Sequence, residues 1–425
     1  MDTVDQKLDE VLNALAYEKI VGGAPKSESD PLLAKLKSLG SEIWVDTGEL
    51  EKAQNIWKQE MTALTTNNTL ANQVVQSGIM DQVIEDTIRK IRDEGLEITE
   101  EELVLEVGFV INCKIALRLV QAFKVKVSVE LHPSVSRDIE RTLHYGRRYF
   151  KVCPEFFIVK VPLTPEGYLA VRKLTQENIP INFTLGFSAR QNYLAARLSN
   201  PDFVNVFLGR LNQVVIDHEA GSGDQVGEKV TLSTQNALIE AREKYKDVQS
   251  KLIGASIRSG EQVAFLAGLD VLTIPPKAIK EFQGSGKATN EVISHLNEEI
   301  VPGIKTSHPL AKRFPCLWEM PNQFISFVDV LMNENRLDEM QGNELVDFCR
   351  KHDMNLFHDF TDTELKQIYN HGKIPCLDNW SESIALDDLM TQSALQSFTK
   401  DQNALDDRLR SFLKYELVVY EGYDT

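Results

Sequence analysis

Eight short apolar segments, spread over residues 42–274 and separated by stretches of helical pattern, constrain this chain more than any other feature. They lie near 42–46, 62–66, 124–130 and 156–161, then near 180–185, 203–207, 251–256 and 270–274. Apolar runs this short, divided by helical intervals, are expected of strands buried on both faces, the pattern of parallel βα units. Eight such units close a (β/α)8 barrel. An open doubly wound sheet is the alternative, disfavoured because no Gly-x-Gly-x-x-Gly follows the first strand.

Helical patterns fill the intervals, as in residues 136 onward, Pro165–Glu177 and Ala189–Leu198, while Ile79–Glu94 and Glu100–Ala122 predict two helices in the long gap between strands two and three. Ahead of the barrel, Val4, Leu8, Val11, Leu12 and Leu15 share one face of a predicted amphipathic helix over 4–20, which Gly22-Gly23-Ala24-Pro25 ends. A second short helix is expected at Leu32–Leu39. Gly221-Ser222-Gly223-Asp224 predicts a mobile loop after strand six. After about residue 305 the strand rhythm stops and the pattern turns helical. The expected organisation is an N-terminal helical segment (1–40), the barrel (41–304) and an extension (305–425). That extension holds 12 Lys/Arg against 21 Asp/Glu, a net of -9, and its Trp318, Phe324, Phe327 and Trp380 imply packing against something.

The net charge of -17 argues against nucleic acid or an anionic membrane as the main partner, so an anionic substrate would need a local basic pocket. No window approaches 18 uninterrupted apolar residues, so no membrane span is expected. The first residues, Met1 to Asp5, are acidic with no apolar signal core, and five cysteines without CxxC spacing suit a reducing cytoplasm better than a disulfide or zinc framework. No metal and no organic cofactor is expected. Gly284-Ser285-Gly286-Lys287-Ala288 lacks the first glycine and the Ser/Thr of a P-loop and is expected to be an ordinary loop, and His352 and His358 lack metal-ligand spacing. The sequence leaves oligomeric state open, with a homo-oligomer one option.

Barrel enzymes carry their reacting groups at the C-terminal ends of the strands. Here those ends supply Asp46, Thr65, Asn67, Glu130, Lys160, Asn182, Thr184, Asn205, Phe207, Arg210, Ser256 and Arg258. Lys160 stands out because its neighbours in Phe156-Phe157-Ile158-Val159-Lys160-Val161-Pro162 are apolar. Burial there would disfavour the ammonium, and a neutral shielded amine is what Schiff-base chemistry requires.

The motifs Val45-Asp46-Thr47-Gly48, Thr65-Thr66-Asn67, Val129-Glu130 and Ile158-Val159-Lys160-Val161-Pro162-Leu163-Thr164 resemble the signatures of the transaldolase family. So do Glu166-Gly167, Ile181-Asn182-Phe183-Thr184-Leu185-Gly186-Phe187-Ser188, Phe207-Leu208-Gly209-Arg210 and Gly254-Ala255-Ser256-Ile257-Arg258, in the family's order over roughly residues 40–285. The resemblance implies a barrel whose Lys160 forms a Schiff base with a ketose phosphate, sedoheptulose 7-phosphate or fructose 6-phosphate. It passes a dihydroxyacetone unit to an aldose phosphate, a step of the pentose phosphate pathway. In that scheme Glu130 and Thr184 shuttle a proton through water, and Asp46 takes the hydroxyl proton when the carbon–carbon bond breaks. Asn67 and Asn182 hold the three-carbon unit, and Arg210 and Arg258 with Ser256 hold the phosphate. Relatives that act as fructose-6-phosphate aldolases carry glutamine at the Glu130 position and tyrosine at the Phe207 position, so this chain resembles the transferases.

Four positions depart from the family's pattern: Asn205 where serine is usual, His132 where an acidic residue is common, and Asn68-Thr69 where Pro-Ser usually follows Asn67. Two other readings stay open on the sequence. One is a related class I aldolase for another sugar phosphate; the other is a non-catalytic barrel that binds a protein partner through the extension.

Overall fold

The computed structural model describes residues 3–96 and 98–421. Met1 and Asp2, at the start of the acidic N-terminal stretch, lie outside the described residues. Eight parallel strands form one closed barrel in sequence order: β1 (Glu42–Asp46), β2 (Met61–Thr65), β3 (Lys126–Glu130), β4 (Phe157–Pro162), β5 (Ile181–Thr184), β6 (Phe203–Phe207), β7 (Lys251–Ala255) and β8 (Val271–Ile274). Helices connect the strands, so the fold is a (β/α)8 barrel.

Strand alternation decides what fills the interior. Trp44 and Phe203 meet edge-to-face across the lower barrel, with ring centroids 4.7 Å apart. Two residues further along each strand, on the same face, come Asp46 and Asn205. The register pairs Glu130 with Lys160, Lys160 with Asn182, and Pro162 with Thr184, which places polar residues together at the carboxyl ends of β3, β4 and β5. Apolar side chains thus occupy the amino-terminal half and reacting groups the carboxyl-terminal half.

The strand ends also start the helices that follow. Asn67, Thr164, Ser188 and Ser259 each accept a backbone N–H of the next helix's first turn, filling one of the donors a helix start leaves unpaired. Pro165 at the first helical position suits a site with no N–H to satisfy.

The predicted N-terminal helix spans Thr3–Ala16 and packs on the helices Glu100–Phe123 and Ile139–Val152. One expectation fails. The loop at 221–224 is tied down rather than mobile: Gly223 N–H donates to the Gly303 carbonyl at 3.0 Å, and Gly303 N–H donates to that of Asp224 at 2.8 Å. Its glycines serve close approach, since a Cβ on Gly221 would stand 2.0 Å from the Gly303 carbonyl oxygen.

Residues beyond 305 wrap the barrel. Phe324, Phe327 and Trp380 are buried, with Trp318 partly so. The C-terminal helix, Leu386–Glu421, crosses the carboxyl end of the barrel against the helices Asn68–Gln76 and Glu100–Phe123. Its start is clamped to the corner after β5. The Arg190 guanidinium donates twice to the Asp387 carboxylate at 2.7 Å, and the Ser188 hydroxyl donates to it at 2.6 Å. Bidentate contacts of this kind, here on a fully buried carboxylate, fix position as well as contributing energy.

Candidate active site

Lys160 and Glu130 sit side by side on adjacent strands, 4% and 1% exposed, with the lysine Nζ 3.0 Å from a Glu130 carboxylate oxygen. Lys160 also donates to the Thr66 carbonyl at 3.1 Å. The apolar strand is therefore only half of its environment, because a carboxylate from β3 and a carbonyl from the end of β2 complete it. Burial pushes the Glu130 carboxyl above the ordinary carboxylate range, with Lys160 pulling the other way. Asp46 is raised for the same reason, opposed by Lys160 and by a hydrogen bond from Thr65. The Thr65 hydroxyl donates to Asp46 at 2.8 Å and lies 2.6 Å from that of Thr273, which must then donate to Thr65. Glu130 in contact with Lys160, and Asp46 within its electrostatic range, are both held above the ordinary carboxylate range, an arrangement suited to acid–base work.

Above the lysine opens a cavity of about 230 Å³. Asp46, Thr65, Asn67, Lys160, Asn182, Asn205, Phe207, Arg210, Ser256 and Arg258 all line it. Glu130 and Thr184 do not. They lie below it, and the Thr184 hydroxyl and both Glu130 oxygens are buried without a hydrogen-bond partner among the described residues, apart from the ion pair to Lys160. Buried polar atoms are rarely left so, and a bridging water is the ordinary remedy.

The amides differ in what they have left to offer. Asn67 Oδ1 is committed as a helix cap to Leu70 N–H at 2.8 Å, while its Nδ2 has no protein partner among the described residues. Asn205 Oδ1 accepts from Leu185 N–H at 3.1 Å, and its Nδ2 donates to Asn182 Oδ1 at 3.0 Å. Asn182 Nδ2 in turn donates to the Ser128 hydroxyl at 3.0 Å. Asn205 therefore braces the turn after β5, where Leu185 holds a left-handed φ of 70° that a non-glycine residue adopts only under constraint.

On the far wall Arg210 is 7% exposed, and burial together with neighbouring Arg258 lowers its pKa to about 10. Gly209 makes this closeness possible, because a Cβ there would stand 2.6 Å from Arg258 Nε. Ser256 lines the same cavity with φ 61°, again left-handed.

Of the cavity residues that the sequence candidates did not include, two come from the C-terminal region, and the others, Thr69, Leu70, Ile253, Ala255 and Thr273, from the barrel. Phe398, 4% exposed, roofs the cavity: its ring centroid is 5.9 Å from Lys160 Nζ, 5.7 Å from the Arg210 guanidinium and 6.4 Å from the Phe207 ring. Lys373 lines the cavity rim, and its carbonyl accepts from Arg210 Nη1 at 3.2 Å. Neither carries a local signal, since Phe398 looks like any apolar position of an amphipathic helix.

Three of the four positions that depart from the family pattern are contacts to this helix. Asn68 Nδ2 donates to Gln402 Oε1 at 2.9 Å, the Thr69 hydroxyl donates to Asp401, and His132 Nε2 lies 3.1 Å from Asp406 Oδ2.

A closed parallel barrel with a buried lysine and two carboxylates at its carboxyl mouth defines a barrel enzyme. The family model for Transaldolase/Fructose-6-phosphate aldolase matches residues 43–310, more than half of the chain, and the chain belongs to that family. A transaldolase of Kluyveromyces lactis is 27% identical over 288 residues, covering 64% of this chain and 80% of that one. A transaldolase of Chlamydia caviae is 28% identical over 245 residues, 56% of this chain and 72% of its own. One from Gloeobacter violaceus is 24% identical over 273 residues, 62% and 67% respectively. No helix among the described residues is long and apolar enough to cross a membrane.

Proposed function

We propose that this enzyme transfers a dihydroxyacetone unit from a ketose phosphate, fructose 6-phosphate or sedoheptulose 7-phosphate, to an aldose phosphate through a Schiff base on Lys160. The observation that carries this reading is the Lys160–Glu130 pair at the floor of a cavity whose opposite wall holds Arg210 and Arg258.

Each residue then has a task. Glu130 takes a proton from Lys160, and the freed amine adds to the ketose carbonyl. Glu130, through a water held at Thr184, protonates the departing hydroxyl, and the iminium forms. Asp46 removes the proton from the hydroxyl on the far carbon of the bond to be cleaved, so that this carbon becomes the aldehyde. That bond breaks, the aldehyde leaves, and its electron pair passes into the iminium to give an enamine. Asn67 and Asn182 hold the hydroxyls of the three-carbon fragment. The enamine attacks the aldehyde carbon of the acceptor, Asp46 returns its proton, and water releases the product. Arg210, Arg258 and Ser256 hold the phosphate of donor and acceptor in turn.

Phe207 and Phe398 favour transfer over cleavage. Both rings face the cavity and neither offers a hydroxyl to direct water at the enamine, so the fragment waits in an apolar enclosure. The division of the chain at about residue 305 does not separate catalysis from an accessory module in this reading, because Phe398 completes the site. The rival reading, a barrel kept as a scaffold, leaves the buried Lys160–Glu130 pair and the Thr184 hydroxyl, which has no hydrogen-bond partner among the described residues, without a purpose.

A coupled assay of fructose 6-phosphate with erythrose 4-phosphate tests the proposal. Wild-type protein should form sedoheptulose 7-phosphate, and Lys160→Ala should reduce turnover to background. Retained turnover in Lys160→Ala with any ketose phosphate contradicts it.

A further inference from the structure

We propose that Lys373, carried by the segment between the last two helices, is a third cation of the sugar-phosphate subsite and sets the preference for phosphorylated substrates. The inference rests on the reading of Arg210 and Arg258 as phosphate ligands.

Residues from three separate parts of the chain line one cavity: Arg210 from the start of the helix after β6, Arg258 from the loop after β7, and Lys373 from more than a hundred residues later, held there through its carbonyl by Arg210. None of them makes an ion pair among the described residues, in a protein of net charge -17. Arg210 and Arg258 approach closely enough that the second lowers the pKa of the first. Like charges held together in an acidic protein without a carboxylate between them form a site that an anion completes. The carboxylates in electrostatic range already offset part of this charge, Asp401 and Glu130 for Arg210 and Asp217 for Arg258. A phosphate monoester brings close to two negative charges at neutral pH, which two partly offset arginines do not match.

The segment that carries Lys373 is anchored rather than draped. The helix Asp362–His371 ends at Gly372, whose φ of 109° is open to glycine and strained for any other residue. That turn sends the chain off the helix toward the cavity. The Ser393 hydroxyl donates to the Gly372 carbonyl at 3.2 Å, and Arg210 donates to the Lys373 carbonyl. Leu377 N–H donates to His218 Nε2 at 2.8 Å, while His218 Nδ1 is 2.8 Å from the Val214 carbonyl, so the neutral imidazole bridges the segment to the Leu208–Asp217 helix. The backbone is fixed on three sides, and the lysine side chain, exposed at the rim, keeps the freedom of its four-carbon stem. Lys373 thus adds a movable charge to two fixed guanidinium forks. Such a group suits an enzyme that must hold the phosphate of a long ketose and of a shorter aldose in one cavity.

The test compares Lys373→Ala, Lys373→Arg and Arg258→Ala in the full-length protein, with inorganic phosphate as a competitive inhibitor and with fructose 6-phosphate and unphosphorylated fructose as donors. Lys373→Ala should raise the inhibition constant for phosphate about tenfold, the scale of one lost charge-assisted contact. It should lower the kcat/KM preference for fructose 6-phosphate over fructose by a similar factor. Lys373→Arg should restore most of both. The side chain is exposed, and thermal melting of each variant checks that the fold is kept. If Arg258→Ala weakens phosphate inhibition and Lys373→Ala does not, Lys373 has no part in the subsite and the inference is overturned alone. If neither variant changes phosphate inhibition, the phosphate subsite on which it rests falls with it.

Discussion

The Glu130 carboxylate meets the Lys160 ammonium at 3.0 Å because β3 and β4 run in a register that sets residues 130 and 160 opposite each other. The pair is almost excluded from water, and Lys160 lines the cavity while Glu130 does not, so Glu130 reaches the reaction through the lysine and through water rather than through the sugar. Glu130→Gln should therefore lower kcat by about 10²–10⁴-fold, the range of a lost general acid–base, with KM for fructose 6-phosphate changed far less. Steady-state kinetics decides this, and a kcat within tenfold of wild type removes Glu130 from the proton relay.

Thr65 does not touch substrate in this account; it positions Asp46 and favours its ionised form. Burial already raises Asp46, and removing the hydroxyl raises it further. Because Asp46 must be a carboxylate to accept a proton, activity is lost as pH falls through that raised value. In Thr65→Val the acidic limb of the kcat profile should move to higher pH, with the loss of kcat several-fold greater on the acidic limb than on the alkaline side. Thr65→Ser should restore the wild-type profile. A uniform loss across pH contradicts this role.

Asp388, at the start of the C-terminal helix, is 2% exposed and its pKa is pushed up to about 7, chiefly by burial. Asp387 beside it adds to the rise, while Arg137, a hydrogen bond from His358 N–H and one from Gln392 oppose it. The His358 ring in turn lies 3.2 Å from Glu364, and Arg190 is committed to Asp387. A carboxyl with a folded-state pKa above its unfolded value of 3.8 stabilises the fold fully only below that value. Its contribution is lost as pH rises through about 7. Asp388→Asn should therefore raise Tm more at pH 8 than at pH 5, and the asparagine oxygen can still accept the His358 N–H. An equal effect at both pH values refutes the assignment.

The barrel was legible because each of its strands is short, apolar and followed by a helical pattern, and all eight strands lie within a few residues of their expected places. Strand ends were legible for the same reason, since a polar residue closing an apolar strand has few purposes in this fold. What the sequence could not reveal was anything decided by contacts across hundreds of residues. Phe398 lies over Lys160 from 238 positions away, Lys373 joins Arg210 from 163 away, and Asn205 turns out to be tied to Leu185 and Asn182. His132, Asn68 and Thr69 looked anomalous in isolation, and their partners on the C-terminal helix account for them. The glycines at 221 and 223 read as a mobile loop because close backbone approach, of 221 to residue 303 and of 223 to residue 212, leaves the same local signature as flexibility.

The central claim is covalent, and borohydride trapping tests it directly. Protein incubated with fructose 6-phosphate and reduced should carry a three-carbon adduct, located on Lys160 by peptide mass spectrometry. That result establishes the Schiff base and the bond cleavage together. A folded protein that yields no adduct with fructose 6-phosphate or sedoheptulose 7-phosphate, or one that yields an adduct on a different lysine, contradicts the account.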